Sequence, residues 1–211
     1  MKLYDITIPI HAGMPVYKND ETRQPKLTFT KKAETDGVTS STLELDLHTG
    51  THLDAPLHLL AGGSSIDEVS LASVMTACRV ISLTSLEGEI TPETLIPFGL
   101  KKGDFVLFKT KNSFSETFDQ EFVYLGQAAA AYLAELGIKG VGTDGLGIER
   151  GQAGHPSHKV LFEAGCMVLE GLMLKNIEPG EYKLIALPLK IVGAEASPVR
   201  AVLVEERCVT E

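Results

Sequence analysis

Short runs in which apolar residues alternate with polar ones, or stand together between glycines, prolines and polar clusters, recur along the chain. They fall at 3–9, 24–30, 42–49, 77–83, 104–109, 139–143, 166–170, 183–188 and 200–205. A period of two with such boundaries predicts β-strands. Helical spacing is rarer and clearest over 127–136, where Ala128, Ala131, Tyr132 and Leu136 recur at helical intervals and Gly137 supplies the stop. A second helix is predicted from an N-cap at Ser157 to Gly165. Shorter ones are predicted over 70–76 and 91–96, the latter with Pro92 at its first position. Strands outnumber helices, which points to a β-rich α/β protein with a mixed sheet and a few covering helices. No repeat, low-complexity tract or long linker divides the chain, so residues 1–211 are expected to form a single domain.

Charge narrows the partners. Asp and Glu number 28 against 19 Lys and Arg, a net charge of −9, and no basic block could neutralise a run of phosphates, so nucleic acid is not an expected partner. Asp5 interrupts the N-terminal apolar run before it could serve as a signal-peptide core. Nowhere do about 18 apolar residues stand together, so no membrane partner is expected and the reading is of a soluble, cytoplasmic protein. The cysteines Cys78, Cys166 and Cys208 are odd in number, far apart and without CxxC spacing, which argues against a disulfide framework or a zinc ribbon. Cys78 and Cys166 lie in apolar stretches and read as small buried hydrophobes.

The histidines are not scattered. His48, His52 and His58 share one short segment with Asp54, and His155 and His158 share another, while His11 stands apart and reads as a surface residue. Imidazole and carboxylate are ligand types for zinc, manganese and iron. The run 42–49 alternates Leu43, Leu45 and Leu47 against Glu44, Asp46 and His48, which predicts a strand with His48 on its polar face. Continued extension at about 3.3 Å per residue would put His48 and Asp54 roughly 20 Å apart. One metal with bonds of about 2.0–2.2 Å can bind both only if the chain turns back just after His48. Gly50 is the residue able to take the required backbone angles, and Pro56 can fix a second bend returning His58 to the same place. A helical HExxH metalloprotease is rejected, because Thr49 stands where the catalytic Glu belongs and Gly and Pro nearby oppose a helix. Glu170 ends the apolar strand 166–170, and a carboxylate in such a setting needs a partner. Asp144 ends another strand and is open to two readings, a carboxylate orienting a ligating histidine or a plain turn residue. His155 either contacts the site of His158 or caps the following helix.

The segment His48-Thr49-Gly50-Thr51-His52-Leu53-Asp54-Ala55-Pro56-Leu57-His58 resembles the HxGTHxDxPxH signature of the cyclase-family metal-dependent hydrolases, a family that includes bacterial kynurenine formamidases and isatin hydrolases. All seven fixed positions match. The resemblance continues through Gly140-Val141-Gly142-Thr143-Asp144, Gly154-His155-Pro156-Ser157-His158 and Val168-Leu169-Glu170-Gly171 to Ser197-Pro198-Val199-Arg200 near the end. It implies a swivelling β/β/α-like fold and two divalent metal ions, Zn or Mn. It implies that His48, His52 and Asp54 bind one metal, and that Asp54 bridges to a second bound by His158 and Glu170. His58 would be the catalytic acid or base. The implied reaction is hydrolysis of a small amide, most typically an N-formyl arylamine such as N-formylkynurenine. A cyclic amide or lactone substrate, or metal binding without turnover, are the alternatives. The resemblance also implies at least a homodimer, with segment 11–20 as a candidate arm. Members often carry aromatic-Pro-Gly-Asp near the N-terminus, where this chain has Tyr17-Lys18-Asn19-Asp20 and no Trp anywhere, so stacking on the aryl half of a substrate is expected to fall to Tyr17 or a phenylalanine.

Overall fold

The computed structural model describes residues 1–205; Cys208 lies outside them. Thirteen strands occur among the described residues. The first half of the chain contributes β1 (Lys2–Asp5), β2 (Lys26–Lys31), β3 (Ser40–Glu44), β4 (His52–Asp54), β5 (Met75–Leu83) and β6 (Glu89–Ile90). The second half contributes β7 (Phe105–Thr110), β8 (Tyr124–Leu125), β9 (Gly140–Thr143), β10 (Met167–Glu170), β11 (Gly180–Ile185), β12 (Ala196–Pro198) and β13 (Val202–Glu205). The helices are α1 (Ala33–Asp36), α2 (Leu71–Val74), α3 (Pro92–Leu95), α4 (Gln127–Leu136) and α5 (Pro156–Glu163). Nine strands form one mixed sheet in the order β1-β13-β11-β5-β7-β9-β10-β4-β12, parallel from β5 to β10 and antiparallel elsewhere. The β-rich α/β architecture is therefore as the pattern predicts.

The central strands are buried on both faces, which is why they read as continuous apolar runs. Phe105 and Leu107 of β7 enter one core with Leu53, Leu169 and Leu184. Val106 and Phe108 enter the other, which α4 covers through Ala129, Ala130 and Leu133, and α5 through Leu161 and Phe162. Cys78 and Cys166 are both buried, as their apolar settings suggest.

Two expectations are corrected. The strand placed at 42–49 ends at Glu44, and its outward Leu43 is 50% exposed, so no buried face sustains the alternation. Asp46 breaks it: its carboxylate accepts from His48 N at 2.8 Å and its carbonyl from Thr49 N at 3.0 Å, an Asx-type turn. His48 thus leaves a turn rather than a strand. Ser157 is not the N-cap of the second long helix, because α5 begins at Pro156 with His155 in the cap position, and the Ser157 hydroxyl donates to Leu125 O at 2.9 Å. The strands β4 and β12 were not legible at all, being three residues long and partly polar.

Candidate metal centre

The site is assembled by register. In β4, His52 and Asp54 point to one face and Leu53 to the other, where it enters the core. Glu170 of β10 pairs directly with His52 and Val168 with Asp54, so the Glu170 carboxylate shares the face of the histidine and aspartate. On that face α5 packs through Leu161 and Phe162, and one turn of it delivers His158. His48 arrives from the turn at 46–49, and Pro56 starts the short 3₁₀ turn Pro56–His58 that brings His58 alongside, its ring centroid 4.2 Å from that of His48. The reversal depends on Gly50, which has φ 77°, and on Gly171, where a Cβ would overlap the Gly50 carbonyl oxygen.

The distances are those of a shared cavity. His48 Nδ1 lies 2.9 Å and His52 Nε2 3.4 Å from Asp54 Oδ1, whereas Asp54 Oδ2 faces His158 Nε2 at 3.6 Å. Glu170 Oε1 stands 3.2 Å from His158 Nε2, and Oε2 stands 3.4 Å from His52 Nε2. Asp54 thus presents one oxygen to His48 and His52 and the other to His158. All five residues that the resemblance implies as ligands converge, and His58 lies within ligand range of His48 and Asp54 as well.

These donors fit divalent transition metals. His52 Nε2 and both carboxylate oxygens of Asp54 are buried without a hydrogen-bond partner, a costly condition unless a cation satisfies them. Two ligand atoms about 2.1 Å from one tetrahedral ion lie roughly 3.4 Å apart, close to the separations just given. Burial opposes the charged form of His52, but Asp54 and Glu170 outweigh it and raise the imidazole to about 10. His158 is likewise raised by Asp54 and its carboxylate neighbours against the effect of burial. Burial and Asp54 push Glu170 up, yet His158 and His52 prevail and hold it down at about 2. Imidazoles so placed hold protons where a cation would otherwise satisfy the carboxylates, and metal binding would release them.

Two of the imidazoles, His52 and His158, are oriented from behind. His52 Nδ1 donates to Gly50 O at 3.1 Å, which leaves Nε2 for the cavity. Glu149 does this for His158, with Oε2 2.5 Å from Nδ1 and Oε1 accepting from Ser157 N at 2.6 Å. Sequence reasoning missed Glu149, because it precedes His158 by nine residues of loop and cap, and only the rule that ligating histidines lean on carboxylates could have prompted a search. His155 Nδ1 lies 3.5 Å from the same carboxylate and is half exposed, so it flanks the site; it also occupies the N-cap position of α5, without a side-chain hydrogen bond to the helix. Asp144 touches none of the site histidines; it accepts from the backbone and hydroxyls of Thr110 and Ser113 and organises that loop. His11 is exposed, as expected. Glu149→Gln should keep the fold but weaken metal binding at His158 by about 10–100-fold, read by metal titration, because the amide cannot impose the tautomer.

Tyr17 lies beside this centre, its hydroxyl directed at Glu149 O (3.4 Å) and its ring edge-on to Phe118 and Phe122 with centroids at 5.2 and 6.3 Å. These rings form an aromatic wall to which Phe118 and Phe122 are additions that the sequence did not single out.

A model of the Cyclase family, described as "Putative cyclase", matches residues 4–150. The kynurenine formamidase of Salinibacter ruber is 35% identical over 96% of this chain and 97% of its own. A solved structure of a "predicted metal-dependent hydrolase" from Bacillus stearothermophilus has 48% identity and a TM-score of 0.88 over 96% of this chain and 97% of that one. Isatin hydrolase A from Labrenzia aggregata has 25% identity and a TM-score of 0.85 over 97% of this chain and 94% of that one. The chain belongs to the cyclase family.

Proposed function

We propose that this enzyme is a metal-dependent hydrolase that opens the C–N bond of a small formamide, with an N-formyl arylamine such as N-formylkynurenine as the favoured substrate. The observation that carries the reading is the buried His52–Asp54 pair with no hydrogen-bond partner for its facing atoms, set beside Glu170, His158 and a half-buried His58. The likeness to a kynurenine formamidase over nearly the whole chain supports the substrate class. His48, His52, Asp54, His158 and Glu170 are the residues that would hold up to two divalent ions, Zn or Mn. Such ions would acidify a water toward pH 7 and polarise the carbonyl oxygen.

The remaining steps belong to this chain's side chains. Burial lowers the pKa of His58 and keeps its imidazole neutral at pH 7, so a ring nitrogen is free to accept a proton from water as oxygen attacks the formyl carbon. The imidazolium then returns that proton to the departing nitrogen, so an arylamine and formic acid leave, the acid giving its remaining proton to solvent as formate, and the histidine is again neutral. Glu149 holds His158 in one tautomer throughout, and the Tyr17, Phe118 and Phe122 wall holds the aryl ring out of water.

A second reading, a cyclic amide substrate, is favoured by the isatin hydrolase likeness. One preparation loaded with zinc or manganese should be assayed on N-formylkynurenine, an N-formyl aniline, isatin and a lactone. Turnover of both formamides is expected. Turnover of isatin or the lactone with both formamides inert overturns the formamide assignment.

A homodimer is proposed as well, but not through segment 11–20, where Met14 and Val16 are buried in this chain's own body. The projecting arm is the β2–β3 hairpin. Its strands pair only with each other among the described residues, every residue of both is exposed, and Leu27, Phe29 and Leu43 are 50–58% exposed. An isolated two-stranded hairpin is marginal in water, so a second copy covering it would account for its order and its apolar side chains. Light scattering should report about twice the 22.7 kDa chain mass, and the double variant Phe29→Glu, Leu43→Glu should release monomer. A wild-type monomer at assay concentration refutes the dimer.

A further inference from the structure

Three residues other than glycine have positive φ among the described residues: Lys18 at 57°, Asn19 at 53° and His155 at 51°. All three lie in the two segments that meet beside Tyr17. The Tyr17 hydroxyl reaches Glu149 O, its ring packs on Gly147, and Lys18 Nζ stands 3.6 Å from where a Cβ on Gly151 would be. A left-handed conformation crowds the Cβ of any L-residue, and asparagine tolerates it far better than lysine. At Lys18 it also excludes proline, whose ring cannot reach that φ. Such strain persists where the surroundings hold it, and here it sets the lysine at the edge of the aromatic wall, with Nζ 5.4 Å from the Tyr17 ring centroid.

Apart from its contact with the Tyr17 ring, the charge at that place meets no carboxylate among the described residues. Lys18 makes no ion pair among the described residues, whereas Arg23 is engaged by Asp20 and Asp46, and Arg150 by Glu121 and Phe122 O. The chain carries a net charge of −9, so an anionic substituent held on the protein outside the metal centre gains from a local cation.

We propose that Lys18 is a specificity-determining residue that binds an anionic substituent, a carboxylate above all, on the aryl half of the substrate while the ring lies against Tyr17. The inference rests on the aryl formamide reading for what is cleaved, but not for what is bound. The metal-loaded enzyme should be assayed on 2-formamidobenzoate, which is anionic, and on neutral formanilide, as wild type, Lys18→Gln and Lys18→Arg. Lys18→Gln should raise KM about fivefold for the anion, the size expected of a partly exposed ion pair, leave kcat unchanged and leave formanilide unaffected. Lys18→Arg should restore the anion's KM. An equal effect on both substrates, or none on either, overturns the proposal. Calorimetry with 2-aminobenzoate and aniline measures the same preference without turnover. If neither formamide is cleaved, the formamide reading falls. Selective weakening of 2-aminobenzoate by Lys18→Gln then still upholds Lys18, and unchanged binding overturns it.

Discussion

Asp54→Asn should leave a folded protein that binds well under the wild-type complement of metal and turns over about a thousandfold more slowly or worse. The substitution keeps the shape of the side chain and removes one charge and one acceptor. In the wild type Oδ1 faces His48 and His52 and Oδ2 faces His158, so Asp54, like Glu170, touches both halves of the cavity, and it alone faces all three histidines. An amide in its place would turn an NH2 group toward imidazole nitrogens meant for a cation, and neither half could be completed. Elemental analysis of purified protein, followed by assay after reconstitution with zinc or manganese, reads both effects. Full metal content with near wild-type turnover would remove Asp54 from the proposed centre.

His58→Ala tests a different role and should give a different pattern: metals retained and kcat lowered by about 10²–10⁴, the usual contribution of a positioned acid–base group. Burial lowers the pKa of His58 from its ordinary 6.5, so the base form persists to lower pH than for a free imidazole. The acid limb of kcat/KM assigned to it should therefore lie below 6.5, falling as pH drops, and should disappear in the variant. Because His58 also stands within ligand range of His48 and Asp54, loss of a metal ion on substitution would make it a ligand and reassign the proton transfer.

Most of what builds this site could be read before any tertiary contact was known, for a physical reason. A continuous apolar run is a local record of a strand buried on both faces, and helical spacing of a helix buried on a single face, so strands β5, β7, β9 and β10 and the helix α4 announce themselves. The demand that His48 and Asp54 meet forces a reversal near Gly50, and Gly50 does have φ 77°. Glu170 in an apolar strand signals an unmet charge, and it is found buried against His52 and His158. The residue types that converge were thus determined by sequence alone. Other features depend on distances between segments that no local pattern encodes. Strand β4 is three residues long and acquires its meaning only from the register that sets Glu170 across from His52. Alternation over 42–49 promised a buried face that packing does not supply, so Leu43 points to solvent and the Asp46 turn decides where His48 goes. Glu149, Phe118 and Phe122 join the site through loops whose course is set by the elements they rest on. Left-handed Lys18 sits in a tight turn closed by Asp20 N donating to Tyr17 O at 3.2 Å, a conformation that a lysine does not announce in sequence. The sequence by itself determined which chemistry this chain can assemble; tertiary structure decided which groups stand behind that chemistry and which stand at its entrance, because orientation and access are set by neighbours far away along the chain.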